Sequence, residues 1–374
     1  MHKSGRQFAL SSSVKVFFLA FILRFVVSLR GSNFDFASYR IVISAIQSGH
    51  FPWDTSRYNY GPIWGYALWL INTLCLGNEF LFRLIIIFIL TTSDFAIYKM
   101  LNRRFGGKTG LIFLFNPVSI IISGYHNQFD NVAFALGAWC LLRAESNQVF
   151  SIRKIVTLGA LFGTSISIKH DFLLFLIWIF FDKSFEKRSY FLISSIVVPI
   201  LLILPFFIFE PRVVTRNYFL YRSFNNAPLL KDLLFSSGWS PGASGIIFFI
   251  ASITIIGFIT KNLSLGERIV IYSLVFVAFS SSIANQYLII SCIGAAVYGN
   301  LFSYLFYTYC TIAFFFNLDE LHFFPYSGFA KFFEFQHSRL YPILILGILL
   351  SDMIKKKRKL LLKNKKGALK SEPT

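Results

Sequence analysis

Charged residues are scarce in this chain, and negative charge is scarcer than positive charge. Asp, Glu, Lys and Arg make up 14% of its 374 residues, whereas a soluble domain carries about 25%. Lys and Arg number 36 against 17 Asp and Glu, and hydrophobic residues reach 55%. Apolar runs of about 15 to 20 residues recur along most of the chain, so the sequence predicts a polytopic membrane protein.

Cysteine is also scarce, and no C-x-x-C pair occurs. The four cysteines lie far apart in apolar surroundings, at Cys75, Cys140, Cys292 and Cys310. This spacing predicts packing residues and indicates neither a metal site nor a redox compartment. A Gly-rich nucleotide-binding fingerprint after a strand, an internal repeat and a cleavable signal peptide are likewise not visible. The first apolar run, residues 14–29, is expected to be an uncleaved span.

The excess of positive charge is distributed as membrane topology requires. Basic residues form short clusters between apolar runs, and nine of them lie within residues 355–370. With the N-terminus in the cytoplasm, the segments on that side hold 23 of the 36 Lys and Arg residues, as the positive-inside rule expects. Both termini are therefore predicted to be cytoplasmic, nucleic acid is not expected as a partner, and the basic tail is predicted to be disordered.

The predicted fold is an all-α polytopic membrane protein with about twelve transmembrane helices. Spans are predicted at 14–30, 80–101, 110–124, 131–144, 155–168, 171–182, 189–209, 243–260, 268–283, 286–299, 301–318 and 339–354. Residues 31–79 are predicted to form a large outer loop with two interfacial helices, at 37–47 and 62–76. The second helix carries Trp64, Tyr66 and Trp69, which suit a membrane–water interface.

Four polar segments reach the same outer face in this topology. They are residues 33–35, 125–131, 169–171 and 284–287. Each alone is consistent with a solvated loop, but ionisable groups that converge at span ends are typical of a membrane active site. The site is predicted to include Tyr58, Tyr60, Gln128 and Gln286 as substrate-binding residues.

Two carboxylates are candidates for catalysis. Asp35 could take a proton from a hydroxyl nucleophile, and it could also be the N-cap of a helix that begins near residue 36 or 37. Asp130 could bind a sugar hydroxyl, assist Asp35, or cap the span that starts at Asn131. His126 and His170 could join them as metal ligands, but no tight ligand spacing favours this.

Several cations are candidates for substrate binding. Lys169 could extend toward the interface without a functional role, or it could pair with an anionic phosphate. Arg24 lies inside the first span, where an arginine costs about 2.5–3.5 kcal/mol, so Asp94 or an outer-loop carboxylate is expected to be its partner. Arg222 belongs to a loop at 210–241 that could be a lid, an acceptor site or a plain connector.

These segments resemble a known family of membrane enzymes. The opening outer loop, "NPVSIIISGYHNQFDN" at 116–131 and "SIKHDFLLF" at 167–175 are similar to segments of the GT-C membrane glycosyltransferases. Within that family, the nearest likeness is to the first mannosyltransferase of GPI-anchor synthesis and to bacterial polyprenyl-phosphate-mannose-dependent mannosyltransferases. The resemblance covers about residues 15–182. Its elements are Asp35, G-x-x-P-[YW] at 49–53, Y-x-Y-x-P at 58–62, the Asn-Pro pair at 116–117, and the polar loop at 125–131.

The resemblance implies an activity and a division of the chain. It implies an inverting transfer of one hexose, expected to be mannose, from a polyprenyl- or dolichyl-phosphate donor to a glycolipid or glycan acceptor, with Asp35 as the base. Lys169, with His126 or His170, would hold the leaving phosphate, and no cofactor is expected. Residues 1–182 would be the catalytic module, 183–354 a variable transmembrane module, and 355–374 a basic cytoplasmic tail.

One departure from the family pattern concerns metal binding. The GPI mannosyltransferases carry a D-x-D pair in this loop, whereas this chain has Asn33 two residues before Asp35. Metal binding by such a pair, and close identity with the GPI enzyme, are therefore not expected. High Phe and Lys content with few cysteines favours a bacterial plasma membrane, with the endoplasmic reticulum membrane as the alternative.

Two other functions remain open for a chain of this kind. A transporter or lipid flippase also fits about twelve spans, but such proteins often have two related halves and binding sites near the midplane. This chain is asymmetric, and its polar groups are predicted at one membrane face. A non-catalytic scaffold would not require an acid, a base and a cation on one side.

Overall fold

The structure is a computed structural model that describes residues 3–145, 150–182, 185–221, 228–233, 242–316, 321 and 340–368. All regular elements in these residues are helical. The first part of the chain forms α1 (Lys3–Ser28), α2 (Phe34–Gln47), α3 (Pro62–Leu74), α4 (Glu79–Phe105), α5 (Gly107–Phe115), α6 (Pro117–Ile121), α7 (Asp130–Glu145), α8 (Ile152–Ile168) and α9 (Phe175–Phe181). Helices α2 and α3 confirm the two helices predicted in the first outer loop.

The second part of the chain continues the helical pattern. It forms α10 (Arg188–Phe209), α11 (Pro211–Val214), α12 (Pro228–Leu233), α13 (Gly242–Ile259), α14 (Leu265–Ala278), α15 (Leu288–Tyr298), α16 (Leu301–Phe316) and α17 (Leu340–Ala368). The predicted division of residues 284–318 near residues 299–300 is confirmed, because Gly299 ends α15 with a left-handed φ of 51°.

The helices include candidate membrane spans. Helices α4 and α10 are long and apolar enough to cross a membrane, and two bent pairs could each add a span: Gly107–Phe115 with Pro117–His126 at 48°, and Ile152–Ile168 with His170–Phe181 at 118°. The described residues thus provide two to four candidate spans by length and composition. The helical membrane-protein class is supported, and the number of about twelve crossings stays a prediction.

Two segments differ from the sequence prediction. The predicted span 171–182 is a 3₁₀ turn, His170–Phe172, followed by α9 of 7 residues, which is too short for a bilayer that needs about 20. The chain leaves helical geometry at Lys169 (φ −150°, ψ 137°) and turns there. The tail predicted to be disordered extends α17 as far as Ala368, because its Lys, Leu and Ala residues are good helix formers.

A buried polar network joins the first helices. The Arg24 guanidinium donates to the Asp94 carboxylate at 2.8 Å and to the Ser119 hydroxyl at 2.8 Å. Asp94 also accepts hydrogen bonds from Ser123, at 2.7 Å, and from Asn131. Arg24 and Asp94 are fully buried. Asp94 is therefore the partner of Arg24, as one of the two sequence alternatives predicted, and the network ties α1, α4 and α7 together.

Contacts between helix termini define two ends of the bundle. At one end, Arg104 near the C-terminus of α4 pairs with Glu145 at the C-terminus of α7, at 2.7 Å. At the other end, Arg83 near the N-terminus of α4 donates to Asn127, shortly before α7 begins. Arg83 also donates to the Gly31 carbonyl. Gly31 is four residues before Asp35, so Asp35 lies at this second end, which we call the Asp35 end.

Candidate functional site

Asp35 lies in the first turn of α2, at the Asp35 end. Asn33 is the N-cap of this helix: its side-chain oxygen accepts a hydrogen bond from the Asp35 N–H at 3.0 Å. The Asn33 amide nitrogen donates to the Asp35 carboxylate at 3.1 Å. The alternative that Asp35 itself caps the helix is therefore wrong, because the helix begins at Phe34, two residues earlier than expected. The Asp35 carboxylate is half-buried, accepts a hydrogen bond from Asn33 and does not cap the helix.

The loop between α2 and α3 is a rigid aromatic platform. The Tyr58 hydroxyl donates to the Gly61 carbonyl at 2.5 Å and accepts from the Gly65 N–H at 2.6 Å. The Trp53 indole donates to the Tyr60 carbonyl at 2.9 Å. Both polar functions of the buried Tyr58 hydroxyl are thus used inside the platform. Tyr58 supports the loop, and Tyr60 packs edge-on against Phe129 with ring centroids 4.8 Å apart.

Asp130 and Lys169 form a buried ion pair beside that platform. The Lys169 ammonium lies 2.5 Å from an Asp130 carboxylate oxygen, and both side chains have no exposed surface. The ammonium also lies over the rings of Tyr60 at 5.1 Å, Phe129 at 5.3 Å and Tyr287 at 4.8 Å. Lys169 therefore does not extend to the interface, and its charge already has an anionic partner.

Tyr60 shows that the separate polar segments share one electrostatic environment. Burial raises the pKa of the Tyr60 phenol well above its ordinary value, and the Lys169 ammonium opposes that rise. Tyr287, Asp35 and Asp130 are close enough to raise the pKa further. The structure thus brings all four predicted polar segments around Tyr60, which remains a neutral hydrogen-bonding phenol at neutral pH.

Asp171 is a buried carboxylate that the sequence prediction passed over. Its exposed fraction is 1%, and neither carboxylate oxygen has a hydrogen-bond partner among the described residues. It lies within electrostatic reach of Asp130 and Lys169. The sequence did carry a signal, because three consecutive ionisable residues, 169–171, interrupt an apolar stretch. Two carboxylates and one ammonium leave this cluster with one negative charge when all are ionised.

The remaining predicted residues occupy different positions. His126 is buried and packs edge-on against Phe314 at 5.4 Å. Gln128 is buried, and both of its amide atoms are without a partner in the described part of the chain. Gln286 is buried in the turn before α15, and His170 is half-buried beside Lys169. Arg24 is bound by the Asp94 network, and Arg222 lies outside the described residues.

The two histidines do not form a metal cluster with the aspartates. Within the described residues, no three His, Cys, Asp or Glu side chains are grouped so that they could hold a metal ion. The metal dependence of the protein stays a prediction, to be tested with a chelator.

Comparisons with protein-family models, with curated proteins and with solved structures found no match to this chain. A proposal for its function therefore depends on the residues at the Asp35 end and on the chemistry that they can perform.

Proposed function

We propose that this chain is an inverting glycosyltransferase that moves one hexose, mannose in the first instance, from a polyprenyl-phosphate donor to a glycolipid or glycan acceptor. The observation that carries the proposal is the half-buried Asp35 carboxylate, which accepts a hydrogen bond from Asn33 at 3.1 Å and lies within electrostatic reach of Tyr60 and Asp130. The carboxylate is accessible enough to meet a hydroxyl group, and its surroundings are polar, aromatic and partly dry. Such a site suits proton abstraction beside a lipid-linked sugar.

The reaction that we propose is a single displacement. Asp35 removes the proton from the acceptor hydroxyl, whose oxygen forms a bond to the anomeric carbon. The bond between that carbon and the phosphate oxygen breaks, and the phosphate leaves with the electron pair. The configuration at the anomeric carbon inverts because the acceptor attacks opposite the leaving group. The transition state resembles an oxocarbenium ion, so a nearby carboxylate also stabilises its positive charge.

The ion pair and aromatic rings would form the wall of the sugar site. Asp130 keeps one carboxylate oxygen without a described partner, although its other oxygen is bound to Lys169. An unpaired buried acceptor costs about 1–3 kcal/mol, so a hydroxyl donor would be stabilised there. The Lys169 ammonium offsets part of the cost of burying the Asp130 carboxylate, and Tyr60 adds a neutral phenol. We assign sugar recognition to this wall rather than direct phosphate binding by Lys169.

The proposed membrane arrangement follows the basic clusters. We propose about twelve spans, cytoplasmic termini, and a site at the outer or lumenal face, in a bacterial plasma membrane or the endoplasmic reticulum membrane. Nucleotide sugars are normally absent from that face, and a lipid-phosphate sugar can reach it within the bilayer. A donor of this class therefore fits the proposed position of Asp35.

The test is a donor comparison with the purified full chain in lipid nanodiscs. Polyprenyl-phosphate mannose and the matching nucleotide sugar are offered separately, each with a crude glycolipid acceptor extract and with or without EDTA. We expect transfer with inversion from the lipid-linked donor only, and no loss in EDTA. Transfer from the nucleotide sugar alone would contradict the donor, whereas loss in EDTA restored by Mn²⁺ would assign a metal to the site. The absence of any transfer, with donors of several sugars, would contradict the enzyme.

A transporter or lipid flippase is the second candidate, and one observation favours it. Helix α8 breaks at Lys169 with a bend of 118°, next to a buried ion pair. Discontinuous helices with buried charges are typical of transporter binding sites. Reconstituted vesicles that move a labelled polyprenyl-phosphate sugar across the bilayer without chemical transfer would support this candidate against the enzyme.

A further inference from the structure

We propose that Arg83 is the binding residue for the phosphate group of a polyprenyl-phosphate lipid. The proposal deepens the proposed function, on which its place in a reaction depends. Sequence reasoning assigned the phosphate to Lys169, but that ammonium is buried and bound to Asp130 at 2.5 Å. A second anion would have to compete with a carboxylate that already neutralises this charge. A different cation at the Asp35 end is therefore needed for the phosphate.

Arg83 differs from Lys169 because its hydrogen-bond partners are neutral and its side chain is partly accessible. Its guanidinium donates to the Asn127 side-chain oxygen at 3.1 Å and to the Gly31 carbonyl. Both acceptors are neutral, and among the described residues no carboxylate forms an ion pair with Arg83. The nearest acid along its helix, Glu79, pairs with Arg40 at 2.5 Å. Glu79 acts on Arg83 electrostatically but forms no ion pair with it. Arg83 is half-buried, so its guanidinium is held in position and is still reachable.

Arg83 also contacts the segment that carries the proposed base. Its guanidinium contacts residues on both sides of Asp35 in the chain: the Gly31 carbonyl and, at 5.3 Å, the ring of Phe36. Two of its donors are used to hold the planar group, and the remaining N–H groups can bind a phosphate oxygen. A phosphate bound there would lie at the Asp35 end, against the segment that carries the proposed base.

The surface around Arg83 fits a lipid better than a free phosphate. Phe80, one turn before it on α4, is 58% exposed, and Phe88 is 50% exposed. On the adjoining α1, Val26 and Leu29 are 52% and 64% exposed, and Phe25 packs against Phe80 with ring centroids 6.1 Å apart. The cation thus stands at the end of an apolar surface shared by two packed helices. An isoprenoid chain can lie along that surface while its phosphate meets the guanidinium.

The experiment measures binding without sugar or acceptor. The full chain in nanodiscs is titrated with undecaprenyl phosphate, with undecaprenol and with inorganic phosphate, and its tryptophan fluorescence is followed. Charge-assisted hydrogen bonds stabilise by about 1.5–3 kcal/mol, so we expect Arg83→Gln to weaken undecaprenyl phosphate binding about tenfold or more. Arg83→Lys should bind with intermediate affinity, because an ammonium keeps the charge and loses the planar geometry. Undecaprenol and inorganic phosphate should each bind the wild type at least tenfold more weakly.

The controls separate this proposal from its rivals. Arg57→Gln removes an exposed arginine of the loop between α2 and α3, whose guanidinium lies over the Phe34 ring at 3.9 Å, and should change the affinity less than twofold. Equal losses in Arg57→Gln and Arg83→Gln, or full retention in Arg83→Gln, would overturn the proposal. If Arg83→Gln does not fold, Arg83→Lys decides, and equal binding of undecaprenol and undecaprenyl phosphate to the wild type would also overturn it. Lipid-phosphate binding without sugar transfer would contradict the proposed enzyme and leave Arg83 as the phosphate residue.

Discussion

At the scale of single residues, Asp35 carries the proposed chemistry. Asp35→Asn and Asp35→Ala should each lower kcat by about 10²-fold or more, the size of effect expected when a general base is lost. The matched control is Asp54→Asn in the same outer loop, where the carboxylate accepts the Phe51 N–H at 2.8 Å. Transfer rates of purified, correctly folded variants provide the measurement. Near-normal turnover in Asp35→Asn would move the role of base to Asp130.

Asn33 offers a separate test, because its amide donates to the Asp35 carboxylate at 3.1 Å. Asn33→Asp keeps a good N-cap, since Asp and Asn cap helices about equally well, but it replaces a donor by a second carboxylate. A like charge beside the base favours its protonated form. The acid limb of the kcat/KM pH profile should therefore move to higher pH, while the thermal unfolding temperature changes little.

The control for this test is Asn33→Ser, which also caps a helix without adding a charge. Its acid limb should stay close to that of the wild type. A shift of equal size in both variants would mean that Asn33 acts only through the conformation of α2.

At the scale of elements, the platform is fixed against α8 by a close backbone approach. A methyl group on Gly61, just before α3, would come within 1.8 Å of the Ser167 carbonyl oxygen. Neither backbone can move far, because Tyr58 binds the Gly61 carbonyl and Lys169 follows Ser167 by two residues. Gly61→Ala should therefore lower the unfolding temperature and the transfer rate together, with overpacking of about 1–3 kcal/mol.

A matched glycine substitution gives the comparison. Gly107→Ala at the start of α5 meets only the Asn102 side chain, at 3.1 Å, which can rotate away. Thermal unfolding monitored by circular dichroism should show a clearly smaller loss than Gly61→Ala. Equal losses would show that the approach of α3 to α8 is not the constraint.

The second half of the chain also contacts this platform. Asn217, after α11, donates to the Trp53 carbonyl at 2.6 Å, and the Phe206 ring of α10 lies 5.1 Å from the Trp53 ring. In its described part, the loop predicted at 210–241 packs on the loop between α2 and α3, and its role as lid, acceptor site or connector stays a prediction. These contacts join the two predicted modules at the Asp35 end.

At the scale of the whole molecule, the arrangement in the membrane can be measured. In a variant without its four native cysteines, Ser56→Cys should react with a membrane-impermeant reagent from outside intact cells. Lys108→Cys should react only after the cells are permeabilised. Both positions are exposed in the structure, and the positive-inside rule predicts a cytoplasmic position for Lys108. Labelling of both positions from the same side would contradict the proposed topology.

The sequence by itself determined the helical class and most helix positions. It also pointed to Asp35, Asp130, Lys169 and Tyr60 as site residues, but not to Asp171 or Arg83. Long apolar runs favour helices in a bilayer, because a helix satisfies its backbone hydrogen bonds internally, and turn residues such as Gly299 mark the ends. The sequence also predicted a carboxylate partner for Arg24, because a buried charge is costly, and Asp94 is that partner.

Only the tertiary structure decided the partners and therefore the roles. Distance along the chain does not reveal that Lys169 meets Asp130, 39 positions earlier, or that Arg83 keeps neutral partners. The N-cap of α2 depended on local structure instead: the helix begins at Phe34, so Asn33 and not Asp35 accepts the capping hydrogen bond. Side-chain charges act over a few ångströms, so which cation is neutralised and which remains available depends on packing between helices that the pattern of apolar runs does not specify.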